Sequence, residues 1–373
     1  MPLRRFRVVG FRNLETQDLA AVGGLTVVLG ENGAGKSNLL EALSVFGNLA
    51  SFRSGPAAAW FRTGARGFTL EGTVERGGAL VEVRQQATLG STAARDLFRG
   101  GRRLDAAEYL ALFPVVSLSS SDRMLVWGAP EERRRFLDRL SFHLKPEALA
   151  VMQGYRRALA QRNALLTCGG RSDEFDAFEH DLARLGAAIV GFRAAALAEL
   201  EAFFAGELEA FGWSLGKVNL SYHCTDGVAV ADPPTTAAGL RAALVRSRRG
   251  DRARGYTTIG PHRHDLGLGV GGRAARQALS AGQGKLLATA LKLATTMLLD
   301  RAKGQSPMVV FDDADAELDA GALRRLFDRL SLRGQSVVSS AHEAMVRPHL
   351  AGARVWRMQA GRVVVDGPER SGV

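Results

Sequence analysis

Residues Gly30 to Ser37 read Gly-Glu-Asn-Gly-Ala-Gly-Lys-Ser and match G-x-x-x-x-G-K-[ST], with Gly30, Gly35, Lys36 and Ser37 in the fixed places. The preceding Leu25-Thr-Val-Val-Leu29 is short, apolar and β-branched, as a buried strand is. The following Asn38 to Phe46 has helical spacing. Strand, glycine turn and helix therefore come in the order the motif needs. Glycines let backbone N–H groups turn inward around phosphates, and a helix start adds its partial positive end. This predicts an ATP-binding loop made by Gly30, Glu31, Asn32, Gly33, Ala34, Gly35, Lys36, Ser37 and Asn38. Lys36 would reach the β- and γ-phosphates, and the Ser37 hydroxyl would hold Mg²⁺.

A second set of residues completes this chemistry. Met308-Val-Val-Phe311 reads as a buried strand that ends in Asp312 and Asp313. An acid at such a strand end orders the metal, and a second acid beside it polarises the attacking water. Asp312 is assigned to Mg²⁺ and Asp313 to water. Leu279-Ser-Ala-Gly-Gln283 stands some thirty residues earlier, ahead of a helix expected from about Gly284 to Arg301. A Ser hydroxyl and glycine N–H groups at a helix start form an anion nest.

Composition bounds the remainder. At 373 residues the chain can bury a large core and is expected to form two lobes. No apolar run reaches the length of a membrane span. The first residues alternate like a strand and lack the apolar core of a signal peptide, so a cytoplasmic location is expected. Cys168 and Cys224 lack C-x-x-C spacing, which reads as two free thiols with no disulfide framework or zinc site. The net charge is +11, and only six of 49 basic residues are Lys. Arginine forks suit phosphate oxygens, so a polyanion partner is expected. Charge alone does not distinguish that partner from a solvated surface.

Along the chain, Arg5 to Leu14 is expected as the first strand. Phe68 to Glu75, Ala79 to Arg84 and Arg95 to Phe98 alternate, with Gly77-Gly78 and Gly100-Gly101 as turns, so an antiparallel meander is expected. Val115 to Leu118 is a further strand. Pro130 to Gly212 reads as helical, with a seam at Phe175, Phe178, Leu182, Leu185, Ile189, Phe192 and Ala196. The seam lasts about three heptads, which favours a self-packed helical lobe over a long coiled coil. Arg241 to Arg276 carries nine arginines against two aspartates.

Four features carry a resemblance. Leu279 to Gln283 resembles the LSGGQ signature of ABC-type ATPases, with Ala281 replacing one Gly. In that family Ser280, Ala281, Gly282 and Gln283 would close over the triphosphate of a second subunit, giving a head-to-tail dimer. Asp315 to Asp319 resembles the D-loop at that seam, with Glu317 and Asp319. His342, after the strand Gln335 to Ser340, stands where such sites contact the γ-phosphate. The Q-loop glutamine is not identified between Gly67 and Asp122. Phe11-Arg12-Asn13 with the phosphate loop resembles the opening of the SMC/Rad50/RecF group, which adds Arg12 to the ATP-binding residues.

Gly128 to Asp138, Gln161 to Leu166, Gly260 to Asp265 and Asp312 to Asp319 resemble the RecF family specifically. The resemblance implies an α/β ABC-type ATPase head, its P-loop sheet joined by an antiparallel meander, over residues 1–127 and 213–373. A helical lobe over 128–212 would split it. It also implies a weak Mg²⁺-dependent ATPase that clamps DNA as a homodimer. Such a clamp aids recombinase loading at single-strand gaps and replication restart with RecR and RecO proteins. Arg133, Arg134, Arg135, Arg246, Arg248, Arg249, Arg252 and Arg254 are the candidate DNA contacts. The alternatives are a membrane-transporter ATPase subunit, opposed by the helical insertion, the basic balance and Asp313, and an ABC-type ATPase-driven nuclease component. For the latter no spare acid cluster is visible.

Overall fold

The computed structural model describes residues 2–20, 23–88, 94–169, 171–316 and 318–365. The strands before residue 120 are β1 (Leu3–Val9), β2 (Gln17–Ala20), β3 (Leu25–Leu29), β4 (Gly67–Arg76), β5 (Ala79–Thr88), β6 (Ala94–Arg99), β7 (Arg102–Arg103) and β8 (Val115–Leu118). Then come β9 (Val218–His223), β10 (Asp265–Val270), β11 (Arg273–Ala274), β12 (Met308–Phe311), β13 (Gln335–Ser340), β14 (Arg354–Gln359) and β15 (Arg362–Val365).

The expected meander is part of a six-stranded antiparallel sheet, ordered β2-β1-β4-β5-β6-β7. Its alternation turns Phe68, Leu70, Val74, Val83 and Leu97 inward. The expected strand from Arg5 to Leu14 is shorter, because Gly10 turns the chain at φ 67 and β2 returns antiparallel to β1. A second sheet runs β15-β14-β3-β13-β12-β8. There β14, β3, β13, β12 and β8 are parallel and β15 is the antiparallel edge.

The helix Lys36–Asn48 packs into one core with both sheets. Its Leu39, Leu43 and Phe46 join Phe6 and Val8 of the first sheet and Val28, Val310, Val337 and Trp356 of the second. A helix buried nearly all round cannot be amphipathic, and its near-continuous apolar text reflects that. Gly47 is required by this packing, since a Cβ there would lie 2.2 Å from Val115 Cγ2. The Gln335 amide also ties β13 to β1, accepting from Leu3 N at 2.9 Å and donating to Leu3 O at 3.1 Å.

Packing divides the chain into two units. One is Met1–Arg123, Gly206–Trp213 and Ser280–Val373; the other is Met124–Ala205 and Ser214–Leu279. The second unit holds the helices Pro130–Leu144, Glu147–Cys168 and Pro233–Arg254, most of Ser172–Ala210, and the sheet β11-β10-β9. Its core joins Met152 and Tyr155 to Leu182, Ala187 and Ile189 and to Leu240 and Leu244. The heptad seam is thus spent inside this unit. Ser214–Leu279, which the sequence reading placed with the phosphate-binding lobe, groups with the helices because β9 pairs with β10 and not with either six-stranded sheet. Asp232 caps the helix Pro233–Arg254 at Thr235 N and Pro233 opens it, a legible start signal.

Candidate nucleotide site

Parallel strands send their carboxyl ends to one side of a sheet, and loops there build sites. The loop after β3, Asp312 after β12 and Ser339-Ser340 at the end of β13 all lie on that side, with β13 between the other two strands. In the phosphate loop Gly30 has φ 155, and a Cβ on it would lie 2.5 Å from Met358 O. Only glycine satisfies both conditions. Lys36 is buried, and its Nζ donates to the carbonyls of Gly30 at 2.7 Å and Glu31 at 3.0 Å. The ammonium is held inside the curl of its own loop.

Ser339 joins the two halves. Its hydroxyl donates to Asp312 Oδ1 at 2.8 Å and accepts from Asp313 N at 2.9 Å. The Ser37 hydroxyl bonds the same Asp312 carboxyl. Burial, and then the neighbouring Asp313 charge, push the Asp312 carboxyl above the usual carboxylate range; Ser339 and Ser37 partly offset this. Asp313 has φ 50, an uncommon conformation for a residue with a Cβ. Its carbonyl accepts from Lys285 Nζ at 3.4 Å, and the same ammonium reaches Ala316 O. Lys285 belongs to the helix Ala281–Lys303 and is almost fully buried.

Arg12 sits beside the loop and pairs in two places with the buried Glu41, at 2.7 and 3.0 Å. Arg53 reaches the same carboxylate and donates to Asn38 Oδ1 at 2.8 Å. Nothing local in the sequence distinguishes Arg53 from the other arginines.

The signature stretch is arranged differently from the expected helix start at Gly284. The helix begins at Ala281 because Ser280 and Gln283 form a capping box: Ser280 Oγ accepts from Gln283 N at 3.4 Å, and Ser280 N donates to Gln283 Oε1 at 2.9 Å. Ser280 and Ala281 are exposed, Gly282 and Gln283 partly so. Asp319 caps the helix Ala320–Ser331 at Ala322 N, 2.7 Å away. Glu317 lies outside the described residues. The His342 ring is 69% exposed, and its Nδ1 stands 2.7 Å from Asp315 Oδ2. After β8 the chain reads Ser119-Ser120-Ser121-Asp122, and Asp122 pairs with Lys292 of the helix Ala281–Lys303; no glutamine occupies this position.

Five of the eight candidate DNA-contact arginines are engaged within the protein. Arg133 is 9% exposed and grips Asp265 through two 2.8 Å bonds, so its guanidinium is not open to a phosphate. Arg134 donates to His264 O, and Arg248 is bound by Asp176 and Glu179. Arg252 stacks on Phe175, its guanidinium 4.9 Å from the ring centroid. Arg135 is exposed but paired with Glu131 and Glu132. Arg246, Arg249 and Arg254 are exposed. Three of the four RecF-like stretches therefore serve the second unit itself. Arg133 of the first binds Asp265 of the third, and Arg162 and Asn163 of the second reach Asp251 and Thr257.

Fold and site define an ABC-type ATPase head, with the P-loop, paired strand-end acids and a capped signature helix. A model described as RecF/RecN/SMC N terminal domain matches residues 2–362. The chain is 33% identical over 372 residues to DNA replication and repair protein RecF of Synechococcus sp. (strain JA-3-3Ab), covering 97% of each. Against the protein of the same name from Anaeromyxobacter dehalogenans (strain 2CP-1 / ATCC BAA-258) it is 37% identical over 357 residues, covering 93% of this chain and 94% of that one. A structure of the recombination mediator protein RecF with ATP, in the RecFOR pathway, superposes with TM-score 0.88 at 25% identity, over 98% and 97% of the two chains. An SMC head bound to the C-terminal winged-helix domain of ScpA shares the fold, with TM-score 0.56 at 16% identity over 99% and 98%. The chain belongs to the RecF family.

Proposed function

We propose that this chain is a cytoplasmic, ATP-switched DNA-binding mediator of recombinational repair and replication restart. One observation carries the reading: Ser37 and Ser339 meet on Asp312 at the strand ends, beside Lys36, in a chain that spans relatives named for DNA replication and repair. The RecF structure with ATP supports ATP as the nucleotide.

In this reading the loop N–H groups from Gly30 to Lys36 cradle the triphosphate, and Lys36 trades its two carbonyl partners for phosphate oxygens. Asn38 and Arg12 flank the loop. Ser37 and Asp312 would hold Mg²⁺, whose charge neutralises phosphate oxygens. The fit is chemical: a hydroxyl and a carboxylate are hard oxygen donors, and a buried carboxyl beside a second acid is relieved by a dication. Asp313 orients the attacking water, and His342 stands beside the γ-phosphate. Ser280, Ala281, Gly282 and Gln283, with Glu317 and Asp319, would meet the triphosphate of a second copy. Capping orders Ser280 without burying it, as a nest offered to another molecule requires.

ATP acts as a switch only through its different affinities for open and closed forms. Turning 1:99 into 99:1 takes about 5.5 kcal/mol, so each of two nucleotides need supply only about half. Slow hydrolysis then resets the clamp. Arg246, Arg249 and Arg254 are the exposed cations favoured for non-specific phosphate contacts, with Arg135 freed from its glutamates. RecR and RecO are the partner proteins implied by the pathway.

Sedimentation of wild type and Lys36→Ala, with and without ATP and gapped DNA, tests the reading. Wild type is expected to dimerise with ATP and hold DNA in a salt-sensitive way, and Lys36→Ala to stay monomeric. Dimers unchanged by Lys36→Ala, or cleaved DNA after incubation with Mg²⁺ and ATP, would overturn it.

A further inference from the structure

One cluster of chemically able side chains takes no part in the nucleotide chemistry. Cys224 and Asp226 follow the end of β9, and His264 immediately precedes β10, so the antiparallel pairing of these strands brings them together. The Cys224 thiol, an Asp226 carboxylate oxygen and a His264 ring nitrogen lie within 4.8 Å of one another. His264 and the Asp226 side chain are buried at 0% and 1% exposure, and Cys224 is half-buried.

The cluster is not arranged for nucleophilic catalysis. His264 Nε2 faces Asp226 Oδ2 at 2.7 Å, and Nδ1 faces the Tyr222 hydroxyl at 3.0 Å, so both ring nitrogens are engaged by groups other than the thiol. A cysteine activated by histidine needs one of them. Burial, with the Asp226 charge, pushes the Cys224 thiol up to about 11, which further removes it from redox chemistry at neutral pH.

We propose that Cys224, Asp226 and His264 hold a borderline-soft divalent cation, zinc foremost, in an open site between the end of β9 and the Gly260–Asp265 segment. One sulfur, one nitrogen and one oxygen form a zinc-type donor set, and three protein ligands leave the fourth tetrahedral position to water. The charges balance, because a thiolate and a carboxylate with a neutral imidazole neutralise a dication. On binding the thiol proton leaves to solvent, and the ring proton that Nε2 shares with Asp226 is carried instead on Nδ1, where the Tyr222 hydroxyl oxygen accepts it. The cation acting on Cys224, Arg193, is itself paired with Asp138 at 2.7 Å.

The outer partners are in place as well. Tyr222 orients the imidazole, and the N–H groups of Val228 and Gly260 hold the Asp226 carboxylate at 3.2 and 3.1 Å. Two ligands with bonds of about 2.0–2.1 Å sit roughly 3.3 Å apart in a tetrahedron. Metal entry therefore opens the 2.7 Å contact between His264 and Asp226 by roughly 0.6 Å, exchanging one hydrogen bond for two metal bonds. Cysteine spacing alone pointed to no zinc site, since its ligands are assembled by strand pairing across forty residues of sequence.

The test uses the full chain, stripped with a chelator and titrated without nucleotide by Zn²⁺ and, separately, by Co²⁺. Wild type and Cys168→Ser are expected to bind one equivalent, gain thermal stability and show a thiolate-to-cobalt charge-transfer band. Cys224→Ser should lose the band, and Tyr222→Phe should weaken binding about 10- to 100-fold. His264→Gln, checked by circular dichroism, provides a second ligand variant. Equal binding by wild type and Cys224→Ser, absence of the band, or no zinc uptake would each overturn the proposal.

Discussion

Asp312 stands under two opposed demands. Ser37 and Ser339 hold it at the end of β12, while burial and Asp313 make its negative charge unfavourable. A buried carboxylate beside another acid costs stability that a dication recovers on binding. Asp312→Asn keeps an acceptor for the Ser339 hydroxyl and removes the charge. Without nucleotide the variant is expected to gain about 1 kcal/mol, a melting temperature roughly 1–2 °C higher, while ATP hydrolysis is lost. Calorimetry beside a phosphate-release assay reads both, and a lower melting temperature would refute the argument. At this scale function is bought with stability.

Among the elements, three helices of the second unit are locked by one buried cation. Arg162 of Glu147–Cys168 is fully buried, donating to Glu179 of Ser172–Ala210 at 2.9 Å and to Asp251 of Pro233–Arg254 at 2.8 Å. Arg248 shares Glu179, and Ser247 and Thr258 bond Asp251, so each carboxylate is satisfied as long as the arginine stays. Removing one partner of such a set leaves an uncompensated buried charge. Arg162→Met is expected to cost about 3–5 kcal/mol, seen as a lower urea midpoint. Arg162→Lys should recover part of that loss, because it keeps the charge without the fork. A midpoint unchanged by Arg162→Met would mean that apolar packing alone holds these helices.

For the molecule as a whole, the proposed switch needs two copies, and the signature stretch isolates that need. Ser280 is exposed and caps its own helix, so a large cation there leaves the P-loop of the same chain untouched. Ser280→Arg is expected to bind ATP within about twofold of wild type, allowing for the roughly 0.5–2 kcal/mol that a lost cap costs its helix. ATP-dependent dimers should be absent. Equilibrium dialysis and light scattering separate the two effects, and loss of ATP binding would place the signature in its own protomer's site.

The sequence by itself determined the ABC-type ATPase class, the meander with its glycine turns, and the family. Those signals are local: a loop of fixed spacing, alternation in strands, a short run at a strand end. Local signals survive without knowledge of what packs against them. Tertiary structure alone decided that Ser339 bridges the acids, that Arg53 joins Arg12 on Glu41, and that Arg133 is a buried tie to Asp265. It alone assembled Cys224, Asp226 and His264. An arginine's text is the same whether it faces solvent or a carboxylate 132 residues away. Long-range pairing sets which of the two it does, and no local pattern records it.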